Sequence, residues 1–117
     1  MVNPFPYSLD NKRYHTLYYH LRTRFPHRVG KAAVDAGFSC PNLDGTRGRG
    51  GCTNCRSGGT EFTESAALPV RDQLKRELSR IRRKWPDAKA IAYFQSHTNT
   101  HAPVSRLRAL FTEALAV

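Results

Sequence analysis

Pro69-Val-Arg-Asp-Gln-Leu-Lys-Arg-Glu-Leu-Ser-Arg-Ile-Arg-Arg-Lys-Trp85, then Pro86-Asp-Ala, then Lys89-Ala-Ile-Ala-Tyr-Phe94: the fold turns on how this stretch is read. Val70, Leu74, Leu78, Ile81 and Trp85 recur at helical spacing and form one apolar stripe, so residues 69–85 read as an amphipathic helix. Proline suits the first turn of a helix, where its missing N–H costs nothing, and Pro86-Asp87 ends the element. Residues 89–94 are a short, mostly apolar run, as expected of a buried parallel strand.

Upstream, Tyr14, Leu17, Tyr18, Leu21 and Phe25 predict a helix over 13–25, stopped by Pro26, with an extended, polar lead-in before it. Its aromatic residues read as core. Residues 28–36 read as a strand, although alanine is a poor strand former. Residues 37–60 hold seven of the eight glycines and all three cysteines, and form a long loop of the kind that is usually functional or disordered. Downstream, 96–103 is a polar loop, and a third helix begins near Val104 and is still running at Val117. The order helix, strand, long loop, helix, strand, loop, helix implies βαβ crossovers and a parallel sheet. Two strands leave such a sheet short, so the sequence reads as the first third or half of a larger α/β barrel.

The chain has 117 residues, about one domain, and 39% hydrophobic residues, enough for a small core. It carries 19 Lys plus Arg against 9 Asp plus Glu, a net charge of +10 that favours an anionic partner. No apolar run is long enough for a membrane helix, and Met1-Val-Asn-Pro-Phe-Pro6 lacks the pattern of a secretory signal, so a cytoplasmic chain is the default expectation. An odd number of cysteines without a secretory signal argues against a disulfide framework and suggests metal binding.

The cysteines are spaced Cys40-x11-Cys52-x2-Cys55. The close pair lets two sulfurs reach one metal centre. The long gap needs turns to return the first sulfur, and Pro41, Asp44-Gly45, Gly48, Gly50 and Gly51 supply them. Three thiolates are one fewer than the four that normally hold a [4Fe–4S] cluster, which leaves one iron open to a substrate or cofactor.

Gly37-Phe-Ser-Cys-Pro-Asn-Leu-Asp-Gly-Thr-Arg-Gly-Arg-Gly-Gly-Cys-Thr-Asn-Cys55 resembles the cluster loop of a bacterial radical SAM family, the YhcC/YtqA-like proteins. Arg13-Tyr-His-Thr-Leu-Tyr-Tyr-His-Leu-Arg22 is similar to that family's opening helix, and Ala92-Tyr-Phe-Gln-Ser-His-Thr-Asn-Thr-His-Ala-Pro103 to its second-strand motif. The resemblance covers nearly the whole chain. It implies the N-terminal part of a partial (β/α) barrel of radical SAM type with parallel strands: residues 1–27 as lead-in and helix, and 28–117 as an incomplete core. It also implies that Cys40, Cys52 and Cys55 hold a [4Fe–4S] cluster whose fourth iron is chelated by S-adenosylmethionine, giving a 5′-deoxyadenosyl radical. Flavodoxin or ferredoxin is the electron donor expected of such an enzyme, and a more distant similarity to the catalytic subunit of Elongator makes tRNA a candidate substrate. Gln95, Ser96 and Thr98, at the end of the second strand, are the residues this resemblance places nearest the methionine amino group. Asn54 stands where the family usually has an aromatic residue beside the adenine. A chain with so little of the cofactor pocket is expected to be an inactive fragment when alone.

Other readings compete. A small basic zinc-binding module that binds nucleic acid would need a fourth ligand, with His27, His97 and His101 as candidates, but only one close cysteine pair exists. Arg56-Ser-Gly-Gly after Cys55 does not open a helix as a thioredoxin-like pair requires. His97-Thr-Asn-Thr-His101 has no glutamate after its first histidine and sits in a loop, so a zincin reading fails. Arg71, Lys75, Arg76, Arg80, Arg82, Arg83 and Lys84 read singly as a solvated face and together as a set able to meet phosphates. Asp35 reads as a cap on the turn into the cysteine loop.

Overall fold

The computed structural model of the chain describes residues 2, 4, 5, 11–53 and 66–117. Its elements are α1 (Leu17–Arg24), β1 (Val29–Val34), α2 (Val70–Lys84), β2 (Lys89–Phe94) and α3 (Val104–Leu115). The lead-in and the distal part of the cysteine loop, Cys55 included, lie largely outside the described residues. The order of elements is the one expected; β2 matches its sequence pattern, and every other element is shorter than its own. Thr16 explains the late start of α1: its hydroxyl accepts from Tyr19 N–H at 3.0 Å, so the helix begins after this cap rather than at residue 13. Both α2 and α3 follow a proline, whose carbonyl takes the first helical bonds, from Asp72 and Gln73 at Pro69 and from Arg106 and Leu107 at Pro103. Helix α3 ends at Leu115, two residues before the last one.

The strands pair in parallel, with Val29 opposite Lys89 and Val34 opposite Phe94, and α2 makes the crossover. One face of the pair meets the helices. Ala32, Val34, Val70, Leu74 and Ala114 form the buried core, with Ala36, Ile81, Ala92, Phe94 and Leu110 packed around it. Phe94 and Phe111 meet edge to face at 5.1 Å, which fixes α3 against the end of β2. Gly30 lets α2 come close: a methyl group built there would stand 2.9 Å from Ile81 Cδ1 and Cγ2.

Gln73 is the largest fully buried side chain and is polar. Its Oε1 accepts from Asp35 N–H at 2.8 Å, and its Nε2 donates to the carbonyls of Asp35 at 2.7 Å and Leu68 at 2.8 Å. One side chain thus supplies the backbone of the residue after β1 and of the residue before the α2 cap. Asp35 does cap the turn, its Oδ1 accepting from Gly37 N–H at 2.8 Å.

Two expectations are corrected. Strand β2 is not buried on both faces: Ile91 and Tyr93 are about two-fifths exposed, because among the described residues the helices cover only one side of the sheet. The aromatic residues of α1 are not core. Leu17, Tyr18 and Phe25 are exposed and no residue of the helix is buried, since α1 lacks a broad packing surface among the described elements.

Candidate functional site

The cysteine loop lies beyond the carboxyl ends of the strands, where open parallel sheets place their ligand sites. Its proximal half is a compact turn. The Cys40 carbonyl accepts from Leu43 and Asp44, and the Pro41 carbonyl from Arg47 at 2.8 Å and Gly48 at 3.1 Å. Gly51 N–H donates to Asn42 O at 3.0 Å and returns the chain towards its start. Gly51 does this at φ 77°, a left-handed conformation, with Leu43 so near that an added methyl would stand 2.9 Å from its Cδ2. The return brings Cys52 beside Asn42, whose amide donates to Cys52 Sγ at 3.3 Å. Cys40 and Cys52 are both free thiols, the first half-buried and the second exposed.

The segment after β2 holds this turn from the other side. Thr98 donates its N–H to Ser39 O at 3.3 Å and its hydroxyl to Cys40 Sγ at 3.5 Å. His101 Nε2 meets Asp44 Oδ2 at 2.9 Å. Arg106, at the start of α3, donates to the carbonyls of Ala36 and Gly37 at 3.4 Å and lies 5.2 Å over the buried Phe38 ring. Asp44 is itself fixed: Oδ1 accepts from Thr46 hydroxyl at 2.6 Å and Thr46 N–H at 2.9 Å. The two Thr46 bonds, and after them His101, hold the Asp44 carboxyl well below the usual range.

The three residues expected near the methionine amino group lie in the segment that follows β2. Gln95 extends the sheet, its N–H donating to Val34 O at 3.0 Å. The Ser96 carbonyl accepts from Asn99 Nδ2 at 2.8 Å, and Asn99 also donates to Phe94 O at 3.2 Å. Of the three, Thr98 has its side chain on a described cysteine, Cys40. Asn99 is the residue that reading the sequence missed, while His97 was weighed only as a zinc ligand. His97 takes a left-handed φ of 56°. Among the described residues, buried His97 Nδ1 and Asn99 Oδ1 have no hydrogen-bond partner, one residue to each side of Thr98. The signal for Asn99 was its residue type in a polar turn, since asparagine bonds nearby backbone there.

Of the candidate zinc ligands, His27 lies at the opposite end of β1 from Cys40. It lines a cleft of about 780 Å³ with Arg28, Trp85 and Lys89 at the amino end of the sheet. A six-residue strand, about 20 Å long, separates that end from Cys40. His101 is engaged by Asp44. Among the described residues no three His, Cys, Asp or Glu side chains gather closely enough to hold a metal ion, and Cys55 is not among them.

The chain is 52% identical over 116 residues to the uncharacterized protein YtqA of Bacillus subtilis strain 168, covering 98% of this chain and 36% of that one. It is 35% identical over 96 residues to Protein YhcC of Escherichia coli K12, covering 82% of this chain and 30% of YhcC. With uncharacterized protein MJ0486 of Methanocaldococcus jannaschii the identity is 28% over 100 residues, 83% of this chain and 30% of the relative. The chain thus spans about a third of the length of these relatives. No family model and no solved structure matches it.

Proposed function

We propose that this chain is the cluster- and cofactor-binding portion of a radical SAM enzyme, in which Cys40, Cys52 and Cys55 hold a [4Fe–4S] cluster that binds S-adenosylmethionine. The observation that carries this reading is the pair of side-chain donors on the two described thiols, Asn42 on Cys52 and Thr98 on Cys40, at the carboxyl end of a parallel sheet. Donors of this kind orient sulfur ligands and tune the metal they hold. The donor set suits the group: free thiols for iron, and unpartnered polar atoms at His97 and Asn99 for the polar end of a small ligand. The chemistry that cluster and cofactor supply together, when bound, is one-electron cleavage of the sulfonium to a 5′-deoxyadenosyl radical.

This chain's own part is positional. Thr98 and Asn42 orient sulfurs, Asn99 ties the strand-end loop to the carbonyls of Phe94 and Ser96, and Gln95 keeps that loop in register with β1. Flavodoxin or ferredoxin is the proposed electron donor. A polyanionic substrate such as tRNA is consistent with the net charge of +10 and the basic outer face of α2. No helix of the described residues is long and apolar enough to cross a membrane.

Anaerobic reconstitution with iron and sulfide tests the reading. The chain should take up iron and acid-labile sulfide in the ratio of a [4Fe–4S] cluster, and Cys40→Ala, Cys52→Ala or Cys55→Ala should each abolish uptake. Stoichiometric zinc with no iron uptake would replace this reading by the basic zinc module.

A further inference from the structure

We infer that His101 is a positioning residue: by gripping Asp44 it pins the Cys40–Cys52 turn to the β2–α3 loop and fixes where the two thiols sit. The inference rests on the proposed cluster and goes beyond it, since His101 is not one of the proposed ligands. The turn from Cys40 to Cys52 is stiff within itself, closed by the bonds of Pro41 and Asn42 carbonyls to Arg47, Gly48 and Gly51. A stiff turn moves as a body about its attachment at Ser39–Cys40. Thr98 holds that attachment, and the contact of His101 with Asp44 holds the turn farther out.

Both grips come from one local structure. His101 N–H donates to Thr98 O at 3.0 Å, so the turn that aims the Thr98 hydroxyl at Cys40 also aims the His101 ring at Asp44. Asp44 suits the grip because Thr46 already immobilises its other oxygen. The pair is partly exposed, at 29% and 30%, so its direct Coulomb contribution is small and its effect is geometric. Removing a group that orients metal ligands typically costs about 10–100-fold in affinity.

The test uses the full chain, reconstituted as wild type, His101→Ala, His101→Gln, Asp44→Ala and the Asp44→Ala, His101→Ala double variant. Cluster loss to a strong iron chelator is followed by absorbance, and the reduced cluster is examined by electron paramagnetic resonance. His101→Ala should lose iron about tenfold faster or more and broaden the spectrum. His101→Gln, which keeps a donor near Asp44, should restore most of the difference. The double variant should be no worse than Asp44→Ala, as expected if the two act as one unit. A His101→Ala rate within twofold of wild type, or additive effects in the double variant, would overturn the inference. If wild type takes up no iron, the cluster reading fails by itself. Amide exchange of the metal-free chain then decides: faster exchange at residues 43–48 in His101→Ala sustains the grip, and unchanged exchange removes it.

Discussion

Gln73 shows how a single polar side chain can hold two segments together. It interrupts the apolar stripe of α2, and nothing in its own sequence neighbourhood points to the backbone of Asp35, 38 positions away. Replacing it with alanine strands one N–H and two carbonyls of partly buried backbone, at a cost of about 2–3 kcal/mol. Urea unfolding of Gln73→Ala should show that loss as a lower midpoint at unchanged slope, and an unchanged midpoint would mean that water replaces the amide freely. Asp44 makes a prediction in pH. Its carboxyl is depressed in the folded chain, so the stability it contributes is complete above the unfolded value of about 3.9 and is lost as pH falls through the lower folded value. The gap in unfolding midpoint between the metal-free wild type and Asp44→Asn should therefore be constant above about pH 5 and shrink under more acidic conditions. A gap that keeps its size throughout would show that the carboxylate is not held. The cysteines and Thr98 were legible as candidate site residues because thiols in a glycine-rich loop and hydroxyls at a strand end have few other uses. The grip of His101 on Asp44 was not, because the two stand 57 positions apart on different loops, and neither was the bond from Asn42 to Cys52, which depends on how the glycine turn closes.

At the scale of elements, what the sequence revealed depended on whether a pattern had a partner. Helix α2 was legible because a full apolar stripe meets the sheet, with Val70 and Leu74 buried. Helix α1 carried a similar repeat and buries nothing, because periodicity records the face a helix offers and says nothing of what covers it. Strand β2 was read as buried because parallel strands usually are, whereas the described helices supply one cover rather than two. Gly30 fits closely against Ile81 of α2. Gly30→Ala should destabilise by about 1–3 kcal/mol through overpacking, despite the better strand propensity of alanine. Adding Ile81→Ala should recover part of that loss, so that the double variant is less destabilised than the two single effects together. Strict additivity in denaturant unfolding would mean that α2 shifts away from β1 at no cost.

Across the whole molecule the two ends of the sheet are chemically distinct. Thiols, hydroxyls and the Asp44–His101 pair gather at the carboxyl end, and cations and aromatic rings at the amino end. The sequence disclosed the first end because its residue types are rare. The second end it showed only as a count of arginines and lysines, since their stacking depends on how α1, α2 and β2 converge. At that convergence stands Trp85, the one tryptophan of the chain, with the Arg28 guanidinium 4.6 Å and the Lys84 ammonium 4.8 Å from its ring. A lone indole at the amino end of the sheet, one strand length of about 20 Å from the end that carries Cys40, is a fluorescent gauge built into the fold. An iron–sulfur chromophore absorbs across the indole emission band and accepts its excitation energy at that range. Zinc, a closed-shell ion, cannot. Titrating the chain with iron and sulfide should therefore dim Trp85 in step with cluster formation, and titrating it with zinc should leave the emission bright. The optical response of one residue thus separates the two metals without any assay of catalysis.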